Sequence, residues 1–131
     1  MKILKFAIVC LLVLITASAA DIAGRYAGEW KSNGGNGDGA FRMSLESAGG
    51  GAWKLEVVFT LGGGDVKTSV RECKVDGSKV DATYDFDLAG NQLRSHIKGE
   101  LKGEAIQGTY QTTSADGGQV DEGVWNASRA K

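Results

Sequence analysis

Proline is absent from this chain of 131 residues, histidine occurs once, cysteine twice, and lysine and arginine nowhere gather into a cluster. Each scarcity excludes something. Without proline, no segment is barred from a central strand by a missing backbone donor. The single histidine, His96, has no second histidine and no cysteine near it in sequence, so neither a zinc site nor a Ser/His/Asp triad assembles around it. The missing basic patch removes the electrostatic footprint of a nucleic-acid binder and offers nothing to anionic lipid. Beyond residue 20, no apolar run approaches the roughly twenty residues that cross a bilayer as a helix.

What the chain does have starts with a leader. In "MKILKFAIVCLLVLITASAAD" two lysines, Lys2 and Lys5, precede an apolar run from Phe6 to Ile15 and a zone of small residues from Ala17 to Ala20. That order is a secretory signal peptide, with cleavage expected after Ala20 or Ala19. Cys10 follows Val9, where bacterial lipoproteins carry a small residue, so no lipid anchor is expected. Residues 1–20 are read as the leader of a protein exported to a periplasm or beyond the cell, and 21–131 as one domain of ordinary size. The leader takes two lysines with it, so thirteen basic residues face sixteen acidic ones, a net charge of −3. Cys73 is left as the only cysteine of the mature part, which rules out a disulfide within it and reads as a core residue.

All twenty glycines lie after the leader, between segments that alternate apolar and polar residues. Period-two alternation punctuated by glycine is the pattern of antiparallel strands joined by tight turns. "GRYAGEW" sets Tyr26, Gly28 and Trp30 on one face; "AFRMSLE" sets Phe41, Met43 and Leu45; "WKLEVVFTL" sets Trp53, Leu55, Val57, Phe59 and Leu61. In "VKTSVRECKV" the inward set begins Val66, Thr68, Val70 and ends Cys73, Val75, so a β-bulge is expected near Arg71. Turning at Asp76-Gly77 sets Cys73 opposite Val80, at the cost of placing Lys74 opposite Lys79. Turning at Ala89-Gly90 sets Asp85 against Arg94, Asp81 against Lys98 and Lys79 against Glu100 outside, with Tyr84 against Ser95 inside. Turning at Lys102-Gly103 places Gly99 beside Ile106, Ile97 beside Gly108 and Ser95 beside Tyr110.

A last strand, "EGVWNAS", brings the total to about eight. The arrangement predicted is all-β, a single antiparallel up-and-down barrel with first and last strands paired, since closure leaves no bare edge. An outer-membrane barrel is set aside because the outward face carries Arg42, Glu46, Lys54, Glu56, Arg94 and Lys98. Arg or Lys at mid-membrane costs about 2–4 kcal/mol each.

The densest glycine stretch, "KSNGGNGDGA", joins the first two strands and reads as turn chemistry at the barrel rim. It lacks the last glycine of a dinucleotide fingerprint, and one near-match to a calcium nonapeptide does not stack. Asp81, Asp85 and Asp87 read as a solvated charge ladder rather than a calcium site, because Lys98 and Arg94 oppose two of them. "NAS" at 126–128 fits a glycosylation tripeptide that is common by chance. No metal and no cofactor is expected. The interior is more informative. Tyr84, Ser95 and Tyr110 fall in one inward row, within a lining that includes Trp30, Trp53 and Tyr26, while Gly28, Gly99 and Gly108 leave room. Few convergent hydroxyls in an apolar lining describe a pocket for a small hydrophobic ligand. The competing reading is a fully packed interior, because an eight-stranded barrel is only just wide enough to be filled.

On "GRYAGEW" opening the first strand, hairpins throughout, and "GVWNAS" in the last strand, the chain resembles the lipocalin-like, or calycin, group of small secreted barrels, especially small exported bacterial proteins. The chain departs from lipocalins in having no room for a helix after the barrel. Avidin-type barrels share "GTY" and an early tryptophan, but not the rest of the biotin-contacting pattern. The resemblance implies a non-catalytic binding protein with a ligand among Tyr84, Ser95, Tyr110, Trp30, Trp53 and Tyr26. A protein-binding module, such as a periplasmic protease inhibitor, is the alternative; it requires an exposed apolar N-terminal segment, and "DIAG" suits that poorly.

Overall fold

The computed structural model describes residues 22–130, so the expected leader and its expected cleavage point lie outside the described residues. Nine strands follow one another: β1 (Gly24–Ser32), β2 (Asp38–Gly49), β3 (Ala52–Leu61), β4 (Gly64–Lys67), β5 (Ser69–Asp76), β6 (Lys79–Leu88), β7 (Asn91–Lys102), β8 (Ala105–Ser114) and β9 (Gln119–Arg129). They form one antiparallel sheet in the order β4-β3-β2-β1-β9-β8-β7-β6-β5. The pairing of β1 with β9, from Tyr26 opposite Arg129 to Ser32 opposite Gly123, rolls the meander into a nearly closed barrel. Among the described residues there is no helix long and apolar enough to cross a membrane, a statement that says nothing of strands.

The count exceeds the expected eight because one stave is divided. "VKTSVRECKV" is interrupted at Thr68: β4 pairs with β3, with Lys67 opposite Val58, whereas β5 pairs with β6, with Ser69 opposite Asp85. The stave thus changes partners half-way, and the Thr68 hydroxyl spans the joint by donating to the Val57 carbonyl at 2.8 Å. Arg71 is the extra residue of a bulge between Val70 and Glu72, where the alternation slips phase.

Registers follow the turns. At Ala89-Gly90 every expected pair is found, Asp85 with Arg94, Thr83 with His96 and Tyr84 with Ser95. Arg94 closes on Asp85 through both carboxylate oxygens, at 2.6 and 3.2 Å, while Asp81 turns from Lys98 to the His96 ring at 2.6 Å. Two other hairpins are displaced by two residues from the expected pairing. The β5–β6 turn is Gly77-Ser78, so Cys73 faces Ala82 and Lys74 faces Asp81, which replaces a like-charge pair with an opposite one. The β7–β8 turn is Gly103-Glu104, so Gly99 faces Gly108, Ile97 faces Tyr110 and Ser95 faces Thr112. A shift of two residues leaves each side chain on its own face, so the inward set survives while its neighbours change.

Candidate functional site

The turns at 33–37, 62–63, 89–90 and 115–118 gather at one end of the barrel, and those at 50–51, 77–78 and 103–104 at the other. Toward the second end the interior is packed solid by Tyr26, Leu45, Val80 and Ile106. Ile22, fully buried ahead of β1, accepts a 2.6 Å hydrogen bond on its carbonyl from the Tyr26 hydroxyl and plugs that end. Toward the first end a cavity of about 340 Å³ opens. Its lining runs from the buried Trp125 to the exposed Asn36 and Val120, so its mouth lies at the rim.

So narrow a barrel holds a void because its rings lie along the wall rather than across the axis. Three rings each stand opposite a glycine on the adjacent strand: Trp30 opposite Gly39, Trp125 opposite Gly108, and Tyr110 opposite Gly123. A Cβ on those glycines would meet the rings at 2.8, 2.7 and 2.7 Å. The ring therefore lies over the space a side chain would occupy, as aromatics do across glycine in sheets. Polar tips fix the posture: Trp30 Nε1 donates to the Thr60 carbonyl at 2.9 Å and Trp125 Nε1 to the Thr109 carbonyl at 3.1 Å. The Tyr110 hydroxyl donates to Asp121 Oδ2 at 2.8 Å. Edge-on contacts of Phe59 with Trp30 and Phe86, at 6.0 and 5.1 Å between centroids, continue the aromatic wall. The expectation that Gly28, Gly99 and Gly108 leave room inside needs correction. The Trp125 indole fills the space over Gly99 and Gly108, and the β9 backbone at Asn126 fills that over Gly28.

Polar groups meet this wall at two levels. Deep in the cavity Ser95 and Thr112, both buried, share a 2.6 Å hydrogen bond between hydroxyls. Burial pushes the Tyr84 phenol up from its ordinary value, with the adjacent Ser95 hydroxyl pulling the other way. At the mouth, Asp121 accepts from Ser32 Oγ at 2.7 Å and Asn36 Nδ2 at 3.0 Å on one oxygen, and from Tyr110 on the other. Burial raises its carboxyl, but these three donors and the Glu122 backbone N–H together outweigh burial and hold it below the usual range. Tyr110 is pushed up by burial, then by its hydrogen bond to Asp121 and by that carboxylate's charge. Ser32 Oγ also accepts from the backbone N–H groups of Gly34 and Asn36, so the glycine-rich 33–37 turn is tied to β9 through Asp121.

Of the site residues named from sequence, Tyr84, Ser95, Tyr110 and Trp30 all line the cavity. Trp53 and Tyr26 lie outside it: Trp53 is half-buried near the start of β3 at the plugged end, and Tyr26 sits under the Arg129 guanidinium, 5.2 Å from its ring. The single row of Tyr84, Ser95 and Tyr110 becomes Tyr84, Ser95 and Thr112, with Tyr110 opposite Ile97, one step further from the mouth, and its hydroxyl reaching back to Asp121, as the two-residue displacement requires. Sequence reasoning missed Thr112, Trp125 and Asp121. Asp121 had a signal, because the alternation Trp125, Gly123 extends inward to it.

No protein-family model, curated protein or solved structure matches this chain. The barrel is compatible with a lipocalin-like fold.

Proposed function

We propose that the protein is an exported, non-catalytic, lipocalin-like binding protein that holds a small, largely apolar ligand in the aromatic cavity. The observation that carries this reading is the pre-formed void of about 340 Å³, apolar in its walls and provided with a few hydroxyls and one carboxylate. Rings already pinned to the wall need no rearrangement to admit a guest, which lowers the ordering cost of binding. Export rests on the pattern of residues 1–20. The absence of catalysis rests on what surrounds the reactive side chains: His96 is on the outer face against Asp81, and burial pushes up the half-buried Cys73 thiol. The protease-inhibitor alternative is weakened because Ile22, the apolar residue of the N-terminal segment, is fully buried.

Trp30 and Trp125 both line the cavity, so intrinsic fluorescence reports on it. Titration with retinoid-like compounds, aromatic compounds and alkyl alcohols should give a saturable change and a higher melting temperature. Leu93→Trp, which fills the mouth from a half-buried position, should abolish both without unfolding the protein. No saturable change with any of these classes, together with an unmoved melting temperature, defeats the proposal.

A further inference from the structure

We infer that the ligand is a lipophilic cation: an alkyl or aromatic body that fills the cavity and ends in an ammonium group lying against the Asp121 carboxylate at the mouth. This rests on the cavity being a binding site, as proposed above.

The first observation is the company Asp121 keeps. Its contacts are Ser32, Asn36 and Tyr110, all neutral donors, which hold the carboxylate in place and ionised without cancelling its charge. Among the described residues no lysine, arginine or histidine nitrogen lies within ion-pair distance of it. Three carboxylates of the outer wall are partnered differently: Asp65 by Arg42, Asp85 by Arg94 and Arg71, and Asp81 by a hydrogen bond to the His96 ring. The one carboxylate that lines the cavity is thus also one without a counter-ion.

The second observation is the wall beside it. Tyr110, held by the same carboxylate, meets Trp30 edge to face at 6.1 Å, and both line the cavity. A cation entering there meets ring faces as well as the carboxylate, and partly desolvated cation–π contacts add to the ion pair. Around the mouth, Asp38, Asp87 and Asp116 stand on strand ends and turns, none of them in an ion pair among the described residues, and Lys31 faces Asp38 across the ladder. An acidic rim draws cations in and repels anions, so a fatty-acid carboxylate is the wrong guest for this mouth.

Three probes of one chain length separate the possibilities: octylammonium, 1-octanol and octanoate, titrated calorimetrically near neutral pH. Octylammonium should bind about tenfold more tightly than octanol, and octanoate more weakly than either. Asp121→Asn should bring octylammonium to the affinity of octanol, while Asp87→Asn, on the rim but outside the cavity, should preserve the order. Octanol binding as tightly as octylammonium to the unmodified protein overturns the inference and leaves the cavity reading standing; so does a preference that survives in a folded Asp121→Asn. Failure of all three probes to bind overturns both. The unmodified protein decides the point even if the Asp121 variant does not fold.

Discussion

Gly108 shows how little space separates a packed wall from an obstructed cavity. A methyl group there would stand 2.0 Å from the Lys98 carbonyl oxygen and 2.7 Å from the Trp125 indole, so backbone and ring must both yield. Gly108→Ala is therefore expected to destabilise the fold by about 1–3 kcal/mol, read as a lower urea midpoint, with Trp125 forced off the wall. Alternation marked Gly108 as inward but did not reveal what lies over it, since that depends on which residue faces it across the ladder. Asp121 and Ser32 were within reach of the same reasoning. Each lies two positions beyond an inward residue, Gly123 and Trp30, and the strands simply run further than their apolar cores suggest. Trp53 and Tyr26 share the inward face with the cavity residues, yet sit at the plugged end. Face assignment says nothing about height along the axis.

At the level of hairpins, legibility followed the number of independent constraints. The β6–β7 register carried opposite charges on one face and apolar partners on the other, and both excluded a slip. The β5–β6 and β7–β8 turns offered a single glycine each, which serves at either of two turn placements. Sidedness was therefore legible there and neighbours were not. A turn at Asp76-Gly77 would set Lys74 against Lys79, and moving it by one residue relieves that repulsion by setting Lys74 against Asp81. The well-read turn carries strain of its own. Ala89 adopts φ +51°, the sole positive φ outside glycine among the described residues, where a Cβ costs roughly 1–2 kcal/mol. Asparagine tolerates that conformation, so Ala89→Asn should raise stability by about 0.5–1 kcal/mol, measured as an upward shift in the urea midpoint with an unchanged slope. An unmoved or lower midpoint would count against this account of the turn.

For the molecule as a whole, the buried phenols set an alkaline limit. Tyr84 and Tyr110 both have pKa values raised above the ordinary tyrosine range, the first chiefly by burial, the second by burial and by Asp121. The unfolded chain releases these protons near pH 10 while the folded one retains them. Stability is then complete below about pH 10 and falls as the pH rises further. Tyrosinate absorbance from these two side chains should appear together with unfolding; ionisation at the ordinary pH with circular dichroism intact would contradict it. Eight staves closed by β1 against β9 were legible as a whole, because unbroken alternation without proline leaves a meander few other ways to hide its edges. The divided fourth stave was legible only as a phase slip. It has a mechanical consequence. A cylinder bonded along every margin widens only by tearing a full ladder, but a plank that grips one neighbour with its upper half and the other with its lower half lets the wall hinge. Such a wall is expected to part first at its least-bonded joint, with the remaining ladders whole.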